Sequence, residues 1–157
     1  KSEVAVGYCT LYGDMNGGFN ALKDVYKTDV YKLSEWRNEQ GEVIPKRIIT
    51  KAPSAELRED QKDQDSLPPY DLLDDILRLL IEYDNVNWDS APKILQEMRA
   101  RCLEHPETVE KVARLLKNSE YKRFQGAPGT RISFRAFGRD RRYPMTNQFI
   151  NKIEKSQ

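Results

Sequence analysis

The stretch DLLDDILRLLIEY, from Asp71 to Tyr83, constrains this chain more than any other part of it. Leu73, Ile76, Leu77 and Leu80 recur at helical spacing, and the acids concentrate in the first turns, where the helix dipole favours negative charge. The spacing predicts an amphipathic helix over 71–83 with one face that needs cover.

Other segments follow the same logic. SEVAVGYCTL, from Ser2 to Leu11, is too densely apolar for a surface loop and reads as a short buried helix ending at Tyr12-Gly13. The glycine-rich loop GDMNGGFNAL follows. A helix is expected at about 28–39, with Thr28 as N-cap, Asp29 at the positive end of the dipole, Val30, Leu33 and Trp36 on one face, and Gly41 as its stop. Ile48 to Thr50 is a brief strand or a helical turn ahead of Pro53. The polar REDQKDQDSLPPY that comes next reads as a loop or a lid. Ser90 and Pro92 open a helix carrying Ile94, Leu95, Met98 and Cys102. Pro106 starts another, with Val109, Val112, Ala113 and Leu116 on its apolar face and its end near Asn118 or Ser119. From Tyr121 the chain turns basic and aromatic.

At 157 residues and 38% hydrophobic content the chain fits one globular unit with a real core. Acids and bases nearly balance to a net charge of +1, so no global field selects nucleic acid or an anionic membrane, and any anion site must be local. Cys9 and Cys102 form no CxxC pair, and His105 has no partners for a metal site, so a reduced, cytoplasmic setting is expected. No apolar run approaches the roughly 20 residues that span a bilayer. The chain opens at Lys1 without a methionine, which suggests a processed or truncated polypeptide.

Three segments in order, KSEVAVGYCTLYGDMNGGFNALKDVYKT, KAPSAELREDQKDQDSLPPYD and EYKRFQGAPGTRISFRAFGRDRRYPMTN, resemble the second half of an NAD synthetase domain of the glutamine-dependent kind, a member of the N-type ATP pyrophosphatases. YGDMNGGF is fairly specific, and PSAEL followed by DQDSLPPYD is the sharpest of the matches. The resemblance implies a ligase of NAD biosynthesis that amidates deamido-NAD with ATP through an adenylated intermediate, taking nitrogen from ammonia or glutamine. The fold implied is mainly α for the chain as it stands, as the C-terminal portion (1–157) of an α/β nucleotide α-hydrolase-like, Rossmann-like domain. Relatives hold the ATP pyrophosphate in an SGGxDS-like loop that these residues lack, so the chain alone is expected to be inert. Mg-ATP is expected as a substrate complex, with no tightly bound cofactor, and the family implies a homodimer or higher homo-oligomer.

Residue by residue, Glu3 aligns with a family glutamate beside Mg-ATP or the nicotinate end of the substrate, where a hard cation needs oxygen ligands. Read alone, it is a helix-start acid. Lys27 matches a lysine that reaches ATP phosphates as a point charge. Ser54 matches a Ser or Thr that touches ATP, and by itself would cap a turn. Glu56, Asp63 and Asp65 lie in a polar segment able to close over a nucleotide, with Asp65 and Ser66 the better candidates for a fixed place in that lid. Tyr121 and Lys122 fall where relatives place a His-Lys pair at the deamido-NAD phosphates. Asp14, Asn16, Gly17 and Gly18 form a loop that admits close backbone approach or makes a tight turn; ammonia-dependent relatives carry an aspartate about where Gly18 stands.

Two other readings compete. Arg131 to Arg142, interleaved with Phe134, Phe137 and Tyr143, would by themselves suggest stacking and phosphate contacts to a nucleic acid. In the resembling family this segment belongs to the synthetase domain, so no nucleic-acid or membrane partner is expected. A different acceptor, as in a GMP-synthetase-like enzyme, ranks below deamido-NAD because of the PSAEL to SLPPYD stretch.

Overall fold

Helix α4, Tyr70–Ile81, is the axis of the molecule, and eight of its twelve residues are buried. Leu73, Ile76, Leu77 and Ile81 have no exposed surface. Burial of each such side chain is worth roughly 1.5–3 kcal/mol. In this computed structural model, which describes residues 1–54 and 59–146, α4 is wrapped by α1 (Ser2–Val6), α2 (Lys27–Glu39), α5 (Lys93–Leu103) and α6 (Pro106–Asn118). The helices α3 (Lys46–Thr50) and α7 (Glu120–Gln125) complete the set among the described residues. The core joins Ala5, Cys102, Val112 and Leu116 to the apolar face of α4.

The mainly helical expectation for the chain as it stands is met. Among the described residues no strand forms, and the single pairing is an isolated bridge between Phe137 and Arg141. No helix there is long and apolar enough to cross a membrane.

Three boundaries differ from the sequence expectation for identifiable reasons. Helix α1 stops at Gly7, with φ of 72°, instead of running on to Tyr12-Gly13. A Cβ at Gly7 would lie 2.3 Å from Ser119 Oγ, so glycine both ends the helix and admits the turn that leads into α7. Helix α2 begins at Lys27, so Thr28 lies inside its first turn rather than capping it. Asp74 of α4 does the capping: its Oδ2 accepts from the Thr28 N–H at 2.9 Å and the Thr28 hydroxyl at 2.8 Å. Ser90 ends a 3-10 turn, Trp88–Ser90, whose cap is Asn87, and Pro92 takes the cap position of α5. Of the two alternatives left open for Ile48 to Thr50, the helical turn forms.

The cover that an apolar face needs is supplied unequally to α2 and α4. Helix α4 is fully packed, whereas α2 has no buried residue, and Leu33 and Trp36 are 50% and 56% exposed.

Candidate functional site

The first turn of α2 and the start of α1 meet at a lysine and a glutamate. Lys27 Nζ donates to Glu3 Oε1 at 2.8 Å, with both side chains partly open to solvent. Their meeting is fixed from behind. Ser2 donates its hydroxyl to Asp74 Oδ1 and accepts from the Lys27 N–H at 2.8 Å, so α1, α2 and α4 share one polar knot. Burial pulls the Lys27 ammonium down, but the hydrogen bond and charge of Glu3, with Tyr31 and Asp63 behind them, outweigh it and hold the group above its ordinary value. Lys27 is therefore a fixed cation at neutral pH, with donors beyond the one that Glu3 occupies.

A cleft of about 300 Å3 opens beside this pair, walled by Lys27, Val30, Tyr31, Ile48, Pro53 and Ser54. The ammonium of α2 and the hydroxyl-bearing residue that follows α3 thus face a common space, as an anionic ligand would require. A second recess, about 400 Å3, lies across Tyr31 and Pro53 and is lined also by Thr28, Gln64 and Tyr70.

The segment read as a lid is tied down at a residue other than those favoured from sequence. Asp65 and Ser66 are exposed: Asp65 Oδ2 accepts from the Lys62 N–H at 3.1 Å, and the Ser66 carbonyl accepts from Lys111 Nζ at 2.7 Å. Asp63 is the buried member, 2% exposed, and its Oδ2 accepts from the Tyr70 hydroxyl at 2.5 Å. Burial, then the Asp63 bond, pushes the Tyr70 hydroxyl well above the ordinary tyrosine range, so it stays a donor. Glu56 lies outside the described residues. Asp63, Leu67 and Tyr70 recur at helical spacing and are all buried, a signal obscured by the polar residues around them.

The other expected site residues stand apart from this cleft. Tyr121 is 47% exposed on α7. Lys122 donates to the Gly7 and Cys9 carbonyls, each at 2.7 Å, and so tethers the end of α1. Asp14 accepts from the Thr10 N–H at 2.5 Å, while Gly17 and Gly18 face open space.

The basic segment uses most of its arginines in pairs within the chain: Arg135 and Arg141 are half-buried, while Arg131, Arg139 and Arg142 are exposed. Arg131 pairs with Asp140 at 2.6 Å, and Arg135 and Arg141 both pair with Asp84 at the end of α4. Arg142 donates to the Gly138 carbonyl. Asp24 accepts from the N–H groups of Ile132 and Ser133 at 2.8 and 2.7 Å, which closes the segment over the start of α2. Arg135 and Arg141 hold the C-terminal segment to the end of α4, and Arg131 and Arg142 brace the segment internally, roles that need no nucleic acid.

The family model for NAD synthase matches residues 1–126. The glutamine-dependent NAD(+) synthetase of Acinetobacter baylyi is 59% identical over 149 residues, which cover 94% of this chain and 26% of that protein. Its counterpart in Rhodobacter capsulatus is 53% identical over 158 residues (95% and 27%), and that of Thermotoga maritima 50% over 151 residues (95% and 25%). The chain spans about a quarter of the length of these curated relatives. With a match over most of its length, the chain belongs to the NAD synthase family.

Proposed function

We propose that this chain is the C-terminal part of the synthetase domain of a glutamine-dependent NAD synthetase, and that the intact protein amidates deamido-NAD to NAD. In this reaction the nicotinate carboxylate oxygen attacks the α-phosphorus of ATP, the α–β phosphoanhydride bond breaks, and pyrophosphate leaves. Ammonia, from glutamine or from solution, then forms the C–N bond, loses a proton and displaces AMP. The observation that carries the reading is the cleft on which Lys27 and Ser54 meet, with Glu3 bonded to Lys27 at 2.8 Å.

Lys27 and Ser54 hold ATP phosphates, the lysine as a point charge and the serine as a neutral donor. Magnesium arrives with ATP, and such an ion keeps water and phosphate oxygens while taking one or two carboxylates. Glu3, with a side chain 42% exposed and bonded to Lys27, is the carboxylate assigned to that complex and to the nicotinate end of deamido-NAD. Tyr121 and Lys122 serve the dinucleotide phosphates; two Lys122 donors already hold carbonyls, so its contribution rests on the third. Asp65 and Ser66 lie on the lid. The α/β sheet and the pyrophosphate loop belong to the rest of the protein, so residues 1–157 alone make no AMP. The uncovered face of α2 supports a homo-oligomer, and the free thiols of Cys9 and Cys102 support a cytoplasmic setting.

The test is the intact protein with Mg-ATP, deamido-NAD and glutamine or ammonium, scored for AMP and NAD. Lys27→Ala is expected to lower kcat/KM for ATP by about 100-fold, the scale for removing one electrostatic contact to a transition state, and Lys27→Arg by less. Absence of AMP with the unmodified protein at every magnesium concentration overturns the reading.

A further inference from the structure

Asp63 is a carboxylate buried to 2% exposure inside a stretch that is otherwise among the most polar in the chain. Burying a charge costs free energy unless hydrogen bonds compensate it. Its Oδ1 is buried and has no partner among the described residues, so the compensation is incomplete. What Asp63 does contribute is two connections at once, one of which Tyr70 extends to Lys27. Its N–H donates to the Pro53 carbonyl at 2.9 Å, next to Ser54. Its Oδ2 accepts the Tyr70 hydroxyl at 2.5 Å. The ring of Tyr70 in turn lies 5.4 Å from Lys27 Nζ, within cation–π range.

These links run from one buried residue, by its side chain toward Lys27 and by its backbone toward Ser54, two of the residues that wall the cleft. The Pro53–Asp63 bond ties Asp63 to the residue that precedes Ser54. On the other side the Tyr70 ring supports the lysine ammonium, and its tilt is set by the hydroxyl that Asp63 holds. We infer that Asp63 is a positioning residue for the ATP-binding pair: its side chain, through Tyr70, fixes the platform under Lys27, while its backbone N–H holds Pro53 beside Ser54. The inference rests on the reading of this cleft as an ATP site.

The experiment uses the intact protein and compares Tyr70→Phe, Asp63→Ala and Asp63→Asn with the unmodified enzyme. Phenylalanine keeps the ring and loses the bond to Asp63; asparagine keeps an acceptor for the Tyr70 hydroxyl. Expected are rises of about tenfold in KM for Mg-ATP for Tyr70→Phe and Asp63→Ala, the scale of one hydrogen bond to a charged group. The same proteins should show KM for deamido-NAD within about twofold, and Asp63→Asn should recover most of the ATP affinity. A merely structural Asp63 would instead lower thermal stability and kcat with KM for ATP unmoved, and that result overturns the inference; should Asp63→Ala fail to fold, Tyr70→Phe decides alone. If the unmodified protein binds Mg-ATP in calorimetry yet makes no AMP, the NAD synthetase reading falls, and the inference is judged on the shift in Mg-ATP binding between the variants. If it binds no Mg-ATP, both fall.

Discussion

Helices α2 and α4 both carry apolar residues at helical spacing, sparsely in α2 (Val30, Leu33, Trp36) and as a dense, continuous face in α4, and they have opposite fates. Helix α4 buries Leu73, Ile76, Leu77 and Ile81 completely, while α2 leaves Leu33 and Trp36 half in water. The two differ in their neighbours. Helices α1, α5 and α6 close around α4, whereas α2 rests mainly on α4 itself. What fastens α2 is polar: Asp74 accepts from Thr28, and Asp29 pairs with Arg78 at 2.5 Å. Apolar periodicity therefore marks a face that wants cover, and the supply of neighbours decides whether this stretch of chain provides it. The candidate site lies on the polar-fastened side, where Lys27 can remain accessible.

The sharpest way to break this comparison is to truncate one apolar side chain in each helix. Ile76→Ala is expected to destabilise residues 1–157 by about 4 kcal/mol, because a fully buried site loses both transfer energy and packing. Leu33→Ala should cost less than about 0.5 kcal/mol. Urea unfolding followed by helical circular dichroism measures both, and equal costs would erase the distinction between the helices.

Next in size is the polar fastening. Asp74→Ala removes the acceptor for Ser2 and for both Thr28 donors and leaves buried groups without partners, an expected cost of about 2 kcal/mol. The loss should be local, seen as faster hydrogen exchange in the first turn of α2 with α5 and α6 little changed. Uniform acceleration would mean that Asp74 supports the whole core instead.

Acid separates the two regions more gently. Burial alone would raise the Asp24 carboxyl, but the N–H groups of Ile132 and Ser133, with the Lys1 and Ser133 side chains, outweigh it and hold it below its ordinary value. An acid depressed in the folded state stabilises above its unfolded value, near about 3.9, and that contribution is lost as pH falls through the folded value. Below about pH 4 the 131–143 segment should therefore loosen from the start of α2 while α4 to α6 stay packed, since apolar contacts do not titrate. Exchange of the Ile132 and Ser133 amides across that range tests this, and simultaneous melting of both regions would count against it.

The same division explains what could be read in advance. Helices α4 and α6 were legible because their apolar faces repeat within the element and become buried. The cap of α2 was not, because it comes from Asp74, 46 residues away from Thr28. Glu3, Lys27 and Ser54 were marked by resemblance to relatives, and local pattern alone would have passed them over as surface residues. Asp63 and Tyr70 went unranked because burial is a tertiary property: the polar neighbours that suggest a solvated lid give no sign that one carboxylate turns inward. Lys122 looked like a phosphate ligand, yet two of its donors serve the carbonyls that Gly7 and Cys9 present where α1 ends.

The smallest expected effect is the most informative about what lies beyond this stretch of chain. Trp36 is 56% exposed, so in residues 1–157 Trp36→Ala should change stability by less than about 0.5 kcal/mol. If other parts of the intact protein or a second copy reach the face of α2, the same substitution there should cost roughly 1.5–3 kcal/mol, the scale for burying a large apolar side chain. Measuring both forms by denaturant unfolding, with size-exclusion chromatography to follow association, reads the missing cover as a difference between two numbers. A concentration-dependent cost assigns the cover to a second copy, and a concentration-independent one assigns it to the same chain. An equally small cost in both forms means that the face of α2 stays in water, and that its apolar residues serve the Lys27 cleft from the outside rather than an interface.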